Sequence, residues 1–285
     1  MSIFRERYSA PSLFPSIEHS ICNIFSGNLS DIQTWMLENK LKLNNDKAEV
    51  LLLRSSSKSF SVSKPTTISV CGCEISFSSS ARNLGFYIRD DMSVELHIGS
   101  VCRSAYSELR RISTIWHLLS VDSTKTLVSA FVLSRLDYCN SLLSGCPKHL
   151  LEMLQKVQNS AARLELKAQK RDYVSPLLRT LHWLPIQARI EYTLSTLCHS
   201  FFSDTAPVYL SDLFCVYTPS RQLRSSSDSR TPRIPHTKSK PFGHRSFSHA
   251  APSVWNSLPR EIRHTQSTTA FKTAPKTHLF KPYLY

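Results

Sequence analysis

The stretch Leu127–Arg163 constrains the fold more than any other part of the 285-residue chain, because it carries the densest helical pattern. Gly145 and Pro147 divide it into two helices, since glycine favours a helix C-terminus and proline cannot continue the hydrogen-bond ladder. The second helix has an apolar face from Leu150 to Leu164. The first has apolar residues at three- and four-residue steps, which form one helical stripe: Leu127, Val128, Phe131, Val132, Leu136, Cys139, Leu142 and Leu143. We predict an antiparallel helical pair.

Three segments in and after this stretch resemble a known protein family. They are SRLDYCNSLLSG (Ser134–Gly145), LQKVQNSAAR (Leu154–Arg163) and LHWLPIQARI (Leu181–Ile190). Together, and in this order, they resemble the region C-terminal to the catalytic palm in non-LTR retrotransposon reverse transcriptases of the jockey-like long interspersed elements. DIQTWMLENKLKLNNDKAEVLLL, which begins at Asp31, resembles the part just after the palm. The resemblance, from about Leu29 to Phe280, implies a truncated C-terminal part of an RNA-directed DNA polymerase.

The catalytic carboxylates of such a polymerase are predicted to be absent. Polymerases hold two Mg²⁺ ions with paired carboxylates, which in the family resembled lie in an aromatic-x-Asp-Asp sequence on a hairpin. The closest similarity here is Tyr87 followed by Asp90 and Asp91, but the spacing is one residue too long and the position is too far downstream. We assign both aspartates to a turn. We predict no catalytic residue and no cofactor on this chain, because Mg²⁺ would belong to the missing palm.

Other catalytic motifs are missing from the sequence as well. It contains no GxSxG elbow, no glycine-rich phosphate loop and no HExxH pair. Cys71 and Cys73 are one residue apart and lack a second pair, so a zinc site is not expected. His182 beside Trp183 is interpreted as a packing residue rather than a catalyst. The eight cysteines are interpreted as reduced core thiols.

The predicted fold class is α+β, mostly α-helical, in four parts. Residues 1–27 are expected to be poorly ordered. Residues 28–92 form a small mixed region, with a helix capped by Asn28. Its predicted strands are Ala48–Leu53, a hairpin within Thr66–Phe77 that turns at Cys71 and Gly72, and Leu84–Ile88.

Residues 93–217 are predicted to form a helical body, and residues 218–285 an irregular basic arm with short helices. Within the arm, Pro275 is expected to interrupt a helix, because proline costs about 3 kcal/mol in a helix interior. Besides the central pair, the body is predicted to contain the helices Val94–Leu119, Ser175–His182, Gln187–Phe202 and Pro207–Leu213.

The net charge of +14 is concentrated at the C-terminus. Pro219–Tyr285 contains twelve Lys and Arg against two acids, a net charge of +10. Such a segment either binds a polyanion through phosphate contacts or is a solvated tail that binds nothing specific. A further alternative is an irregular segment that lies over the helical core. The candidate nucleic-acid-binding residues are Arg221, Arg224, Arg230, Arg233, Lys238, Lys240 and Arg245, whose charges are predicted to face solvent.

Two functions follow as hypotheses. The first is backbone binding to RNA or an RNA–DNA hybrid by a truncated reverse transcriptase. The alternative is a domesticated or degenerate helical interaction protein with no nucleic-acid role. No run of about 18 apolar residues and no apolar leader occurs, so the protein is predicted to be intracellular, in the nucleus or cytoplasm, with no membrane partner. The sequence does not predict the oligomeric state.

Overall fold

The computed structural model describes residues 30–41, 44, 49–53, 67–70, 73–217, 230–237 and 243–281. The chain divides into two compact units, Met1–Ser93 and Val94–Tyr285. The fold is α+β and mostly helical, as predicted. Residues 1–27, the Asn28 cap and the turn at Cys71 and Gly72 lie outside the described residues. Across the described ranges, no helix is both long enough and apolar enough to cross a membrane.

The described part of the first unit contains one helix and two small sheets. Residues 30–38 lie in helix α1. A three-stranded sheet has the order β1 (Val50–Leu51), β3 (Cys73–Ser78) and β2 (Thr67–Val70). Strand β1 runs parallel to β3, and β2 runs antiparallel to it. The hairpin predicted within Thr66–Phe77 is therefore confirmed.

A second hairpin replaces the single third strand that was predicted. Strand β4 (Ser80–Asn83) pairs antiparallel with β5 (Phe86–Arg89). Leu84 and Gly85 connect them with φ of 48° and 89°, and a two-residue hairpin loop with positive φ at both positions matches the twist of the strands. Leu84 thus belongs to the turn. Asp90 and Asp91 follow β5 in a turn, as expected.

The second unit is built from helices. Its first long helix, α2, spans Glu95–Ile115 and continues as a short 3₁₀ turn, Trp116–Leu118. In the residues that the structure describes, the helices that follow are α3 (Val121–Val128), α4 (Ser134–Asp137), α5 (Lys148–Glu165), α6 (Val174–Thr180), α7 (Ile186–Phe202), α8 (Val208–Ser211), α9 (Phe247–Ser257), α10 (Arg260–Arg263) and α11 (Thr268–Phe280). Helix α5 packs against α2, α3, α6 and α7.

The first helix of the central pair differs from its prediction. It begins earlier, where the Ser120 side chain caps α3 by accepting from the backbone N–H of Ser123. A π-helical turn, Ser129–Leu133, joins α3 to α4. Such a turn rotates the residues that follow it around the helix axis. The helix then ends at Asp137, because Cys139 has a φ of 55° and a 3₁₀ turn follows.

The C-terminal helices complete the core of this unit. Helix α7 packs against both α9 and α11. The ring of Phe271 in α11 stacks on His199 of α7 with 4.1 Å between centroids, and Trp255 of α9 stacks on Phe202 of α7 at 5.3 Å. Trp255 and Phe271 are fully buried. The predicted interruption at Pro275 is wrong: α11 runs through this residue. Pro275 is buried with Phe271 on one face, and burial offsets the lost hydrogen bond.

Candidate nucleic-acid interface

The three segments that resemble the retrotransposon family meet in space. Arg189 of α7 donates from Nη1 to both carboxylate oxygens of Asp137, at 2.8 and 2.7 Å, and from Nε to the Leu184 carbonyl at 2.9 Å. The same carbonyl accepts from Nε2 of Gln158 at 2.8 Å. Asp137, Gln158 and Arg189 belong to the first, second and third segment in turn. Their residues therefore form one hydrogen-bonded junction of α4, α5 and α7.

A glutamine pair on α5 completes this junction. Gln158 is fully buried, and its Oε1 accepts from Nε2 of Gln155 at 3.0 Å. Gln155 Oε1 in turn accepts from the backbone N–H of Ile186, the first residue of α7, at 2.9 Å. The first N–H groups of a helix have no partner within the helix, so Gln155 satisfies one of them. The junction is a scaffold that fixes the start of α7, and we assign it no chemistry.

His182 is not the packing residue that the sequence indicated. It is exposed and has a φ of 53°. Its N–H donates to the Arg179 carbonyl, and the N–H of Trp183 donates to Leu178, a pair of bonds that defines the Schellman end of a helix. Trp183 and Leu178 are buried. His182 therefore occupies the left-handed position after α6, where glycine is the usual residue, and Trp183 does the packing.

Three of the seven candidate binding residues lie in the part of the chain that the structure describes. They are Arg230, Arg233 and Arg245; Arg221, Arg224, Lys238 and Lys240 lie outside it. Only Arg233 is exposed as predicted, and Arg230 and Arg245 are half-buried. The structure therefore corrects the expectation that these charges face solvent, for two of the three.

Arg230 holds the C-terminal segment onto the helices. Its Nη1 donates to the carbonyl oxygens of Arg263 and Thr265, at 3.0 and 3.1 Å. Its own carbonyl accepts from Nε1 of Trp255 at 2.7 Å. Arg263 is the last residue of α10, and a cation is favourable beside the unpaired carbonyls at a helix C-terminus. The side chain of Arg230 is thus committed to backbone contacts within the unit.

The segment around Arg230 is packed rather than a free arm. Pro232 is fully buried, its carbonyl accepts from Nδ2 of Asn256, and it pairs with Val216 in an isolated β-bridge. For residues 230–237, this agrees with the alternative interpretation of an irregular segment over the helical core. The helices α9, α10 and α11 also give the predicted arm far more order than expected.

Arg245 packs beside the end of the central pair. A Cβ atom at Gly145 would lie 2.8 Å from Cγ of Arg245, so glycine is required for this close approach, and its φ is 70°. The positive charge of Arg245 lowers the pKa of the neighbouring Cys146 thiol, although burial raises that pKa more strongly. Arg245 is therefore a packed residue at this position.

A different cluster of cations does face solvent, and the sequence analysis did not identify it. We name Trp116, Lys167, Lys170, Arg171 and Tyr173 the loop patch. All five are exposed. Four belong to the connection between α5 and α6, and the Nζ atom of Lys167 lies 4.9 Å from the ring centroid of Trp116 at the end of α2. Tyr173 is 88% exposed.

The connection between α5 and α6 begins with a left-handed turn. Lys167 has a φ of 54°, and the bonds Lys167 N–H to Leu164 and Ala168 N–H to Arg163 form a Schellman end for α5. One exposed acid, Asp172, lies among these cations, and its Oδ2 accepts from the Gln169 N–H at 2.6 Å. Cationic side chains interspersed with exposed aromatic rings are typical of surfaces that bind single-stranded nucleic acid.

A buried acid lies directly before this connection. Glu165 is buried, and burial raises the pKa of its carboxyl group, an effect that the nearby Lys125 partly opposes. A carboxyl group in this position adds little negative charge to the surface. In the connection, the three exposed cations of the loop patch therefore outnumber the one exposed acid, Asp172.

The cysteines and possible metal ligands give no second site. Cys102 and Cys198 are buried thiols, and burial raises both pKa values, as expected for core residues. Cys215 is exposed, which corrects its interpretation as a core thiol. Among the described side chains, His, Cys, Asp and Glu do not gather in groups of three or more that could hold a metal ion.

Comparisons with known proteins found no relative of this chain. Neither protein-family models, nor curated proteins, nor solved structures gave a match.

Proposed function

We propose that this chain is a truncated C-terminal part of a non-LTR retrotransposon reverse transcriptase that binds the backbone of RNA or an RNA–DNA hybrid and transfers no nucleotide. The observation that carries the binding role is the exposed, cationic loop patch, together with the division of charge between the units. Residues 94–285 contain 25 Lys and Arg against 12 Asp and Glu, a net charge of +13, whereas residues 1–93 contain ten against nine. The helical unit thus holds nearly all the net charge.

The loop patch supplies both kinds of contact that unpaired nucleic acid needs. The ammonium and guanidinium groups of Lys167, Lys170 and Arg171 carry the charge for phosphate contacts. The ring of Tyr173, which is 88% exposed, offers a face on which bases of any sequence can stack, whereas the ring of Trp116 already contacts Lys167. Binding through such contacts is nearly indifferent to base sequence and strongly dependent on salt.

The test is the salt dependence of binding to a labelled single-stranded RNA, followed by fluorescence anisotropy. For single strands the log–log slope is about −0.7 per phosphate neutralised, so the variant K167A/K170A/R171A is expected to lose about two units of slope. The matched control R260A/K272A/K276A removes the same charge from exposed positions on α10 and α11. If both triple variants bind equally well, the loop patch is not the interface.

The C-terminal candidates need point variants rather than a deletion. Removing 220–245 would also remove Pro232 and the contacts of Arg230, and so would disturb the fold. The variant R221A/R224A/K238A/K240A keeps those contacts. If it loses the salt dependence while K167A/K170A/R171A retains it, binding resides in the C-terminal segment. If neither variant has an effect, backbone binding by this chain is refuted.

A further inference from the structure

An open groove of about 580 Å³ runs along α2 in the helical unit. One stripe of α2 and the side chain of Met153 on α5 line it. Three of its large side chains are exposed: Leu96 is 44% exposed, Tyr106 40% and Met153 39%. A groove of this kind, with charged residues at its ends, marks a surface suited to a second helix.

Gly99 lies in this groove, although the chain's own packing does not require a glycine there. A Cβ atom at this position would meet nothing within 4 Å. Glycine inside a helix costs roughly 0.5–1 kcal/mol relative to alanine. The missing side chain leaves room for a large side chain or a backbone to approach closely from outside. The glycine therefore points to an occupant of the groove.

The charged and bulky residues of the stripe are symmetric about its centre. Glu95 and Arg110 stand equally far from the midpoint between Cys102 and Arg103, and so do Gly99 and Tyr106. All four line the groove. In an antiparallel pair of identical helices, residues at equal distances from the two-fold axis face each other. The stripe is therefore complementary to itself in charge and in size.

We propose that α2 pairs antiparallel with α2 of a second copy of this chain. Glu95 then faces Arg110 of the partner subunit, and the ring of Tyr106 fills the space above Gly99 of the partner subunit; each contact occurs twice. The contact is isologous, which closes the assembly at a dimer and leaves no open surface for a filament. This inference is independent of nucleic-acid binding.

The size of the stripe makes the dimer weak. From Glu95 to Arg110 it is about 22 Å long, so it buries less than the roughly 800 Å² per partner of a standard interface. The Arg103 side chains of the two copies also lie close to the axis, and their like charges oppose pairing. We expect a dissociation constant on the order of 10–100 μM.

Sedimentation equilibrium of the full chain tests the proposal. Between about 1 and about 300 μM, a range that brackets the expected constant, the apparent mass should rise from 32.4 kDa toward twice that value. Gly99→Leu should abolish the rise, because its side chain blocks the approach of Tyr106 from the partner subunit. The same variant should melt no lower than the wild type, since a Cβ atom at this position meets nothing in the monomer within 4 Å and leucine favours a helix more than glycine does.

Charge reversal identifies the register. E95R and R110E should each weaken association about tenfold, because each places like charges opposite one another twice. The double variant E95R/R110E should restore association to within about threefold of the wild type. A chain that stays monomeric throughout refutes the dimer. A dimer that G99L leaves intact, or that the double variant does not restore, refutes this pairing of α2.

Discussion

The Nη1 atom of Arg189 lies between the two carboxylate oxygens of Asp137, 52 positions earlier in the chain, at 2.8 and 2.7 Å. Only 15% of the arginine side chain is exposed, against 46% of the aspartate. The pair joins the end of α4 to the start of α7, and the Nε of Arg189 adds a second bond to the Leu184 carbonyl. One side chain thus holds two elements together.

Removing either member of this pair should destabilise the helical unit, and replacing the arginine should lower the free energy of unfolding more than replacing the aspartate. We expect about 1 kcal/mol for Asp137→Ala and about 2–3 kcal/mol for Arg189→Ala, which also loses the bond to Leu184 and its packed stem. Urea denaturation measures both. In the double variant, the coupling energy between the two substitutions should be about 1 kcal/mol. Strictly additive losses would contradict an interaction between the two side chains. Lys148→Ala, in an exposed pair with Glu152, serves as the control.

The buried glutamine of α5 should be sensitive to truncation. Gln158→Ala leaves a cavity in the core and removes the donor to the Leu184 carbonyl and the acceptor for Gln155. We expect a loss of about 2–4 kcal/mol. The control is Gln187→Ala, because Gln187 is exposed and bonds only to Glu191 in what the structure describes. Equal losses for the two variants in thermal unfolding would refute a role for the junction.

Phe271 is expected to anchor α11. Its ring is fully buried and stacks on His199, so Phe271→Ala should cost about 3–5 kcal/mol. Phe131 is 46% exposed, and the same substitution there should cost less than about 1 kcal/mol. Chemical denaturation of the two variants measures the difference. If Phe271→Ala unfolds at the same denaturant concentration as the wild type, α11 does not belong to the core.

Acid should weaken the packing of α7 against α11. Burial lowers the pKa of His199; its bond to the Thr265 carbonyl opposes this shift, and the charge of Arg230 adds to it. A pKa below the unfolded value of about 6.5 means that the unfolded chain binds more protons. Stability is therefore fully present above about pH 6.5 and falls as the pH drops toward the folded pKa.

The variant His199→Phe isolates this effect. It keeps a ring against Phe271 but cannot take up a proton, so the slope of unfolding free energy between pH 7 and pH 5 should decrease by up to about 1.4 kcal/mol per pH unit. Burial also lowers the pKa of His97, so a smaller slope should remain. An unchanged slope in His199→Phe would exclude His199 as a source of the acid sensitivity.

The chain should not polymerise nucleotides. Asp90 and Asp91 lie in a turn, and Asp91 Oδ1 accepts from the Ser93 N–H at 2.8 Å. With Mg²⁺, primer and RNA template, we expect no incorporation of labelled nucleotide above a protein-free control. Incorporation that Asp90→Ala abolishes would overturn this assignment.

The long helices were predictable because a sustained apolar stripe is a strong local signal. The pattern placed α5 and α7 within a residue or two of their observed ends. The π turn after Val128 and the left-handed residue Cys139 have no such signal. The predicted helix therefore followed the apolar stripe past Asp137, where the observed helix ends. Strand β4 was missed because Ser80–Asn83 shows little apolar alternation. For β4 the local pattern was weak, whereas for the first helix of the central pair the apolar stripe was strong but continued past the observed end at Asp137.

The candidate site was harder to predict, because exposure depends on distant contacts. Arg230 and Arg233 have similar sequence surroundings, but only Arg230 meets the carbonyls of Arg263 and Thr265 some thirty positions later. The cations of the loop patch are visible in the sequence. The left-handed conformation of Lys167, with which the connection begins, is not predictable from the residue type, because glycine is the usual residue at such a position.

Helix α7 is synthesised before α9 and α11, the two helices that cover it. Phe271 is made 69 residues after Phe202, the last residue of α7. At about 5–20 residues per second, translation takes roughly 3–14 s to cover that distance. Until then α7 lacks its partner from α11, whereas α9 ends at Ser257 and is made earlier. The face of the His199 ring on which Phe271 stacks is therefore uncovered for that part of synthesis.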